Sequence, residues 1–170
     1  MACRSGIPEA GEKVKALSQS QRVEMLPVDL SDIDSIRAFC DDLKERGETI
    51  DVLILNAGVT PPKSRLTKQG QDLMFAVNYL ANVILPLRLL ATGVLRPAQS
   101  AEPAAIPRVI FISSDSHQNA SAIDWEEFGS TVPYGVKKAI HNYSYFKLLL
   151  NTFATELSRR LNRDENTAVS

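Results

Sequence analysis

Tyr143 and Lys147 are the two residues of this sequence whose types and spacing best suit acid–base chemistry. They are four positions apart in an amphipathic segment, and on a helix this spacing places both side chains on one face. Because a nearby ammonium group stabilises a phenolate, Lys147 should lower the pKa of the tyrosine from its usual value of about 10. Such a tyrosine could exchange a proton with a substrate oxygen while hydride is transferred.

A second pair with the same spacing, Tyr134 and Lys138, must be separated from the first. Tyr134 follows Pro133 and precedes Gly135, and these neighbours predict a turn rather than a helix. The other pair leads instead into apolar residues at helical spacing, namely Leu150, Phe153, Ala154, Leu157 and Leu161. We therefore predict that the pair on the helix carries the chemistry.

Two strands must bring further polar groups to this helix. The apolar run at residues 51–55 is followed directly by an Asn-Ala-Gly turn, and the run at residues 108–114 ends in a pair of serines. A serine hydroxyl brought beside the tyrosine could hydrogen-bond a substrate carbonyl oxygen.

The order of the elements predicts an α/β fold with a mostly parallel sheet, because strand and helix signals alternate along the chain. A length of 170 residues favours one domain spanning residues 1–170. The predicted strands are residues 23–29, 51–55 and 108–114, and the predicted helices are residues 9–18, 31–46, 71–95 and 141–161.

Local signals set several boundaries of these elements. Ser31 is predicted to cap the second helix, with Asp34 in the capping-box position, and Gly47 is predicted to end it. The continuous apolar run at residues 51–55 predicts a strand that is covered on both faces. The third helix is expected to kink at Pro86.

Composition excludes some classes of function. A net charge of −1 gives no basic excess that would suit nucleic acid. Cys3 and Cys40 show no metal-ligand or disulfide spacing, which favours a reduced, cytoplasmic setting. The longest apolar stretch, residues 83–95, contains Arg88 and is too short to cross a bilayer. No signal peptide is predicted, although a segment before residue 1 could still anchor the protein to a membrane.

Six motifs in order resemble the short-chain dehydrogenase/reductase family, nearest to its retinol-dehydrogenase-like and WW-domain-oxidoreductase-like branch. They are MACRS, VDLSD, LNAG, FAVNYLANV, VIFISS and the Tyr-x-x-x-Lys pair. The resemblance covers nearly the whole chain. It implies a Rossmann-like doubly wound parallel sheet that binds a dinucleotide.

The resemblance also implies roles for four residues. Tyr143 would exchange the proton, and Ser114, the second serine of its pair, would hold the substrate oxygen. Lys147 would lower the pKa of the tyrosine and bind the nicotinamide ribose. Asn78 would order a water that relays protons through the lysine. Phe146 stands where the family usually has a serine, and we expect it at the rim of the site.

The cofactor implied by the resemblance is NADP(H) rather than NAD(H). NAD-selective members carry an Asp at the end of the second strand, whereas Cys3 stands there in this chain and Arg4 follows it. The Arg4 guanidinium could pair with a 2′-phosphate. The other residues expected to bind the cofactor are Asp29, Leu30, Asn56, Ala57, Gly58, Tyr143 and Lys147.

Parts of the family's fold are expected to lie outside this sequence. Its first strand and Gly-rich turn should come before Met1, and its last strands should follow Ser170. The isolated chain is therefore expected to be inactive. Without the first strand, the predicted strand at residues 23–29 lies three places from the strand at residues 51–55, roughly 14 Å away. Either a gap remains in the sheet or the two strands pair directly, and we favour the gap.

The leading interpretation is an NADP(H)-dependent oxidoreductase that interconverts a carbonyl and an alcohol on a small lipophilic substrate. A non-catalytic binding or regulatory protein on the same scaffold is one alternative, since a fold does not fix a function. A sugar-nucleotide epimerase of the extended branch is another, although LNAG and the Asn78 helix fit that branch poorly. The loop at residues 115–133 should form much of the substrate pocket. A homodimer through the two long helices is a further expectation.

Overall fold

The structure, a computed structural model, describes residues 1–96, 107–126 and 128–161. Strands and helices alternate in it as predicted. In chain order they are β1 (Ala2–Cys3), α1 (Glu9–Ser18), β2 (Leu26–Pro27), α2 (Ile33–Glu45), β3 (Val52–Leu55), α3 (Leu73–Thr92), β4 (Arg108–Phe111) and α4 (Val136–Leu161). A short 3-10 helix, Asp115–Asn119, follows β4.

The described strands form two separate parallel sheets, each with two strands. β1 pairs with β2, and β3 pairs with β4. The gap favoured by the sequence is therefore confirmed, and β2 does not move in beside β3. β2 is shorter than the predicted strand at residues 23–29, because β1 offers it only two residues as partners.

The prediction that β3 is covered on both faces is wrong for the part of the chain that the structure describes. Leu53 and Leu55 pack into a core formed with α2 and α3. The intervening side chains, Val52 and Ile54, are 51% and 59% exposed. Alternate residues of a strand point to opposite faces, and the described core reaches only one of them.

The cap of α2 differs by one residue from the prediction. Asp32, not Ser31, is the N-cap, and its carboxylate accepts a hydrogen bond from the Asp34 amide at 3.0 Å. Ser31 is engaged elsewhere, since its amide and hydroxyl both donate to Asp29 Oδ1, at 2.8 and 2.6 Å. Gly47 follows the last turn with a φ of +68°, which confirms it as the residue that ends the helix.

Helix α3 is the longest apolar element of the core. Its 20 residues are enough in length and composition to cross a bilayer, which corrects the estimate made from residues 83–95. More than half of its most apolar window is buried inside the protein, as is common for a core helix. Ala76–Leu80 form a π-helical segment within it, and Gly93 ends it with a φ of +76°. The kink at Pro86 stays a prediction.

The start of α3 depends on a buried carboxylate. Asp72 is 3% exposed, and its Oδ1 accepts hydrogen bonds from the amides of Met74 and Phe75 at 3.0 and 3.1 Å. Met74 and Phe75 join Phe146 and Leu149 of α4 in a second core cluster. This cap therefore fixes the point where the two long helices meet.

We predict that Asp72→Ala lowers the free energy of unfolding by about 1–2 kcal/mol, because two helix amides lose their acceptor. Urea denaturation measures this change. Asp34→Ala is the matched control: its carboxylate is exposed and lies 3.4 Å from Arg37, so its loss should cost less than about 0.5 kcal/mol. Equal losses in the two variants would contradict the role given to the buried cap.

Candidate active site

Tyr143 and Lys147 both lie within α4, so the predicted helical pair is confirmed as a structural feature. Lys147 is 4% exposed, and its Nζ donates a hydrogen bond to the carbonyl oxygen of Ile112 at 2.7 Å. The same Nζ lies 5.7 Å from the centre of the Tyr143 ring. Burial lowers the pKa of Lys147. The amine is thus fixed between the phenol and the end of β4.

Tyr134 lies outside the helix, two residues before Val136, whereas Lys138 lies within it, so this second pair does not share one helix. Its side chain is buried in the cluster shared by α3 and α4. Burial first, and then the Asp72 carboxylate, raise the pKa of Tyr134 to about 12. Its burial also keeps the phenol away from solvent and from a substrate, which suits acid–base work poorly.

Ser114 lies three residues after the end of β4 and caps the 3-10 helix that packs on α4. Its Oγ accepts a hydrogen bond from the Ser116 amide at 3.2 Å and donates to Asp115 Oδ1 at 3.3 Å. His117 holds the same residue from the other side, with Nδ1 at 2.5 Å from the Ser114 carbonyl oxygen. The neighbouring Ser113 hydroxyl is buried and has no hydrogen-bond partner among the described residues.

Asn78 is fully buried in the π-helical segment of α3. Its carboxamide makes two hydrogen bonds with Val59: Oδ1 accepts from the amide at 2.8 Å, and Nδ2 donates to the carbonyl at 2.8 Å. Asn78 therefore holds the loop after β3 in the way that a neighbouring strand would. This contact uses one hydrogen of Nδ2 and one lone pair of Oδ1.

Four of the residues predicted to bind a cofactor line one cleft of about 250 Å³. They are Arg4, Asp29, Leu30 and Ala57, and Val59 also lines the cleft. Asn56 and Gly58 are exposed neighbours of Ala57 and are not part of this lining. The structure thus brings four of the predicted cofactor-binding residues together in one cleft. Tyr143 and Lys147 are not part of its lining.

The cleft suits the adenosine part of a dinucleotide. Arg4 is exposed and forms no ion pair within residues 1–96, 107–126 and 128–161, so its guanidinium is available to a phosphate. Leu30 and Val28 give an apolar wall on which a base can lie. The Asp29 carboxylate already accepts two hydrogen bonds from Ser31. The volume of the cleft is smaller than drug-sized ligand pockets, so it fits part of a dinucleotide.

Phe146 is only 7% exposed, and it lines a small cleft together with Ser121, Asp124 and Gly129. Its expected place at the rim of the site stays a prediction. Its ring lies 5.6 Å from that of Phe75, which joins α4 to α3. A large apolar side chain at this position is explained by packing between the two helices.

Two residues of the site region were not identified from the sequence. Asp72 caps α3 and Asn82 donates from its side chain to the carbonyl oxygens of Val77 and Asn78, at 3.0 and 3.1 Å. Both are polar residues that the structure buries in an otherwise apolar segment. A polar residue within an apolar segment was the sequence signal for such a role, because buried polar side chains need hydrogen-bond partners.

Comparison with known proteins supports the same assignment as the motifs. The profile of the family described as short chain dehydrogenase matches residues 2–124. Human retinol dehydrogenase 13 is 32% identical over 164 residues, which cover 95% of this chain and 46% of that protein. Human polyprenol dehydrogenase is 33% identical over 149 residues, covering 88% and 43%. The chain spans about half the length of these relatives.

Solved structures show the same fold. An uncharacterized protein from Mycobacterium paratuberculosis superposes with a TM-score of 0.68 at 28% identity, over 95% of this chain and 52% of that one. The NADP complex of Pseudomonas aeruginosa RhlG has a TM-score of 0.65 at 20% identity, over 94% and 56%. Both of these proteins have the Rossmann fold. This chain has the same fold, but its sheet is incomplete. Because the family profile matches residues 2–124, which are most of this chain, the chain belongs to the short-chain dehydrogenase family.

Proposed function

We propose that the protein is an NADP(H)-dependent oxidoreductase that interconverts a carbonyl and an alcohol, with Tyr143 as the acid–base residue. The observation that carries this proposal is the buried Lys147 amine, bonded to the Ile112 carbonyl and 5.7 Å from the Tyr143 ring. The amine and the phenol lie on the same helix and close together, so both can face one bound substrate. Membership of the short-chain dehydrogenase family supports oxidoreductase chemistry in general.

In this proposal Tyr143 and Ser114 act on the reacting oxygen, and Lys147 supports them. Tyr143 gives a proton to the substrate oxygen during reduction and takes it back during oxidation. The Ser114 hydroxyl, in the segment that follows β4, turns away from Asp115 and donates its hydrogen bond to that oxygen. Lys147 holds the phenol in place and binds the ribose next to the nicotinamide. The bound cofactor supplies or accepts the hydride.

Asn78 has a supporting task. Its two side-chain hydrogen bonds to Val59 use one donor and one acceptor position of the carboxamide, which leaves one of each for a water. The same two bonds keep the loop after β3 against the cofactor cleft. We propose that Asn78, by its contact with Val59, joins the cofactor cleft to α3, the helix that packs against α4.

The substrate is proposed to be lipophilic. Phe75, Tyr79, Phe128 and Phe146 form an aromatic cluster with centroid separations of 5.6–5.8 Å, and Tyr143 packs against the core that contains Phe75 and Phe146. Trp125 continues this cluster to the surface, where it is 71% exposed. The names of two relatives, retinol dehydrogenase and polyprenol dehydrogenase, refer to lipophilic alcohols and support the same substrate class.

We predict that Tyr143→Phe in the full-length protein lowers kcat by at least about 100-fold, because the proton donor is lost. NADPH oxidation with a panel of long-chain and aromatic aldehydes measures kcat, and NADPH fluorescence should show nucleotide binding within about twofold of wild type. Tyr134→Phe is the control and should change kcat by less than about threefold.

The reverse pattern would mean that the other tyrosine reacts. Tight NADPH binding by the wild-type protein, without turnover on any member of the panel, would instead favour a non-catalytic binding protein.

We predict that Arg4→Ala shifts cofactor preference from NADP(H) toward NAD(H) by about tenfold or more in kcat/KM, since a charge-assisted pair with the 2′-phosphate is lost. Steady-state rates with both cofactors measure the ratio. Arg37→Ala removes an exposed arginine of α2 that is paired with Asp34, and it should leave the ratio unchanged. An unchanged ratio in Arg4→Ala would refute the assignment of Arg4.

A homodimer through α3 and α4 is also proposed. Both helices present exposed apolar side chains, Leu87 on α3 and Val136 and Ile140 on α4, at 44%, 62% and 65% exposure. A buried apolar contact would remove them from water.

We predict that the full-length protein sediments as a dimer and that Ile140→Lys shifts it toward the monomer, because a charge would be buried at the interface. Leu17→Lys is the control, since Leu17 is 86% exposed on α1, away from both helices. A wild-type protein that sediments as a monomer at all concentrations would exclude this interface.

A further inference from the structure

Helix α3 contains a local irregularity directly at Asn78. Across the segment Ala76–Leu80, the Ala81 amide bonds to the Ala76 carbonyl, five residues back, instead of to the Val77 carbonyl, four residues back. Such π-type turns are rare, and they leave a carbonyl without its usual α-helical donor. The Val77 carbonyl therefore needs another source of hydrogen bonding in a buried part of the helix.

Asn82 supplies that donor. Its Nδ2 donates to the Val77 carbonyl at 3.0 Å and to the Asn78 carbonyl at 3.1 Å. The residue is 3% exposed, so its carboxamide is removed from water for this contact. A side chain that satisfies the two carbonyls of the irregular turn stabilises that turn against the regular α-helix.

The irregular turn sets the direction of Asn78. A change from π to α pairing rotates the residues of the segment around the helix axis, since one residue fewer is accommodated in the turn. The two hydrogen bonds from Asn78 to Val59, each of 2.8 Å, depend on that direction. Val59 and Val77 both line the cofactor cleft.

We propose that Asn82 is a positioning residue: by holding the π-helical turn, it aims Asn78 at Val59 and so fixes the wall of the nucleotide cleft. Asn82 touches neither the cleft nor Tyr143 in this scheme, and it acts only through Asn78. The effect of Asn82 on the loop after β3 does not depend on what the protein binds. The effect of Asn82 on nucleotide affinity rests on the proposed function.

Hydrogen exchange in the full-length protein tests this directly, because the Val59 amide is the donor to Asn78 Oδ1. A peptide of residues 57–62 reports this amide with little background, since Pro61 and Pro62 carry no amide hydrogen. In Asn82→Leu we expect its exchange to become about tenfold faster, as for the loss of one hydrogen bond. The KM for NADPH should rise about fivefold, with a smaller change in kcat.

Two further variants make the test specific. Thr92→Val removes a side chain that donates to two carbonyls, those of Arg88 and Leu89, at the far end of the same helix. It should leave exchange of the 57–62 peptide within about twofold of wild type. Asn82→Ser keeps a hydroxyl that can reach the carbonyl four residues back, so it should give intermediate exchange.

Exchange at residues 57–62 that equals wild type in Asn82→Leu would overturn the proposal. If Asn82→Leu does not fold, wild-type exchange in Asn82→Ser would overturn it equally. Absence of NADPH turnover in the wild-type protein, together with faster exchange in Asn82→Leu, would reject the proposed function and leave the positioning role of Asn82 supported.

Discussion

The burial of the Lys147 amine is the constraint on which the candidate site depends. A buried ammonium group is costly unless it is hydrogen-bonded, and here the carbonyl of Ile112 takes that bond. This contact ties the middle of α4 to the residue that follows β4, in the segment that leads to Ser114. The same geometry keeps the amine beside the Tyr143 ring. One requirement of a buried charge thus brings together a strand end, a helix and the pair of residues that suits proton transfer.

The second long helix is built around buried polar groups in a similar way. Asp72 caps α3, Asn82 satisfies carbonyls in its π-helical turn, and Asn78 reaches across to Val59. In an apolar core each of these side chains must find partners, so each fixes the backbone around it. The cofactor cleft is consequently shaped from inside the protein, by groups that do not themselves line it. This arrangement gives the cleft and the reacting pair a common support in the contact between α3 and α4.

The sequence predicted the features that local patterns encode. The alternation of strands and helices, the Tyr143 pair on its helix and the position of Tyr134 outside that helix all follow from spacing and from Pro and Gly. The motif order placed Arg4, Asp29 and Ala57 in segments that the structure brings to one cleft. The gap in the sheet also followed from strand order. Periodicity could not predict the π-helical turn or the role of Asn82, because one residue added to a turn barely changes an apolar helical pattern.

Other differences arose where tertiary neighbours decide the outcome. Ser31 had the right residue type for a cap, but the nearby Asp29 carboxylate takes both of its donors, and Asp32 caps the helix instead. The run at residues 51–55 suited a strand covered on both faces, yet Val52 and Ile54 remain exposed because the described helices pack on one side only. Such outcomes depend on which elements meet, which a local pattern does not contain.

The most direct test of the central claim is the steady-state rate of aldehyde reduction by NADPH in Lys147→Met. The methionine keeps an apolar side chain of similar length and removes the amine that lies beside Tyr143. We predict that kcat falls at least about 100-fold in this variant. Lys138→Met, which removes the exposed lysine of the other pair, should keep kcat within about twofold of wild type. A folded Lys147→Met protein with the kcat of wild type would contradict the assignment of Tyr143 and Lys147 as the acid–base pair.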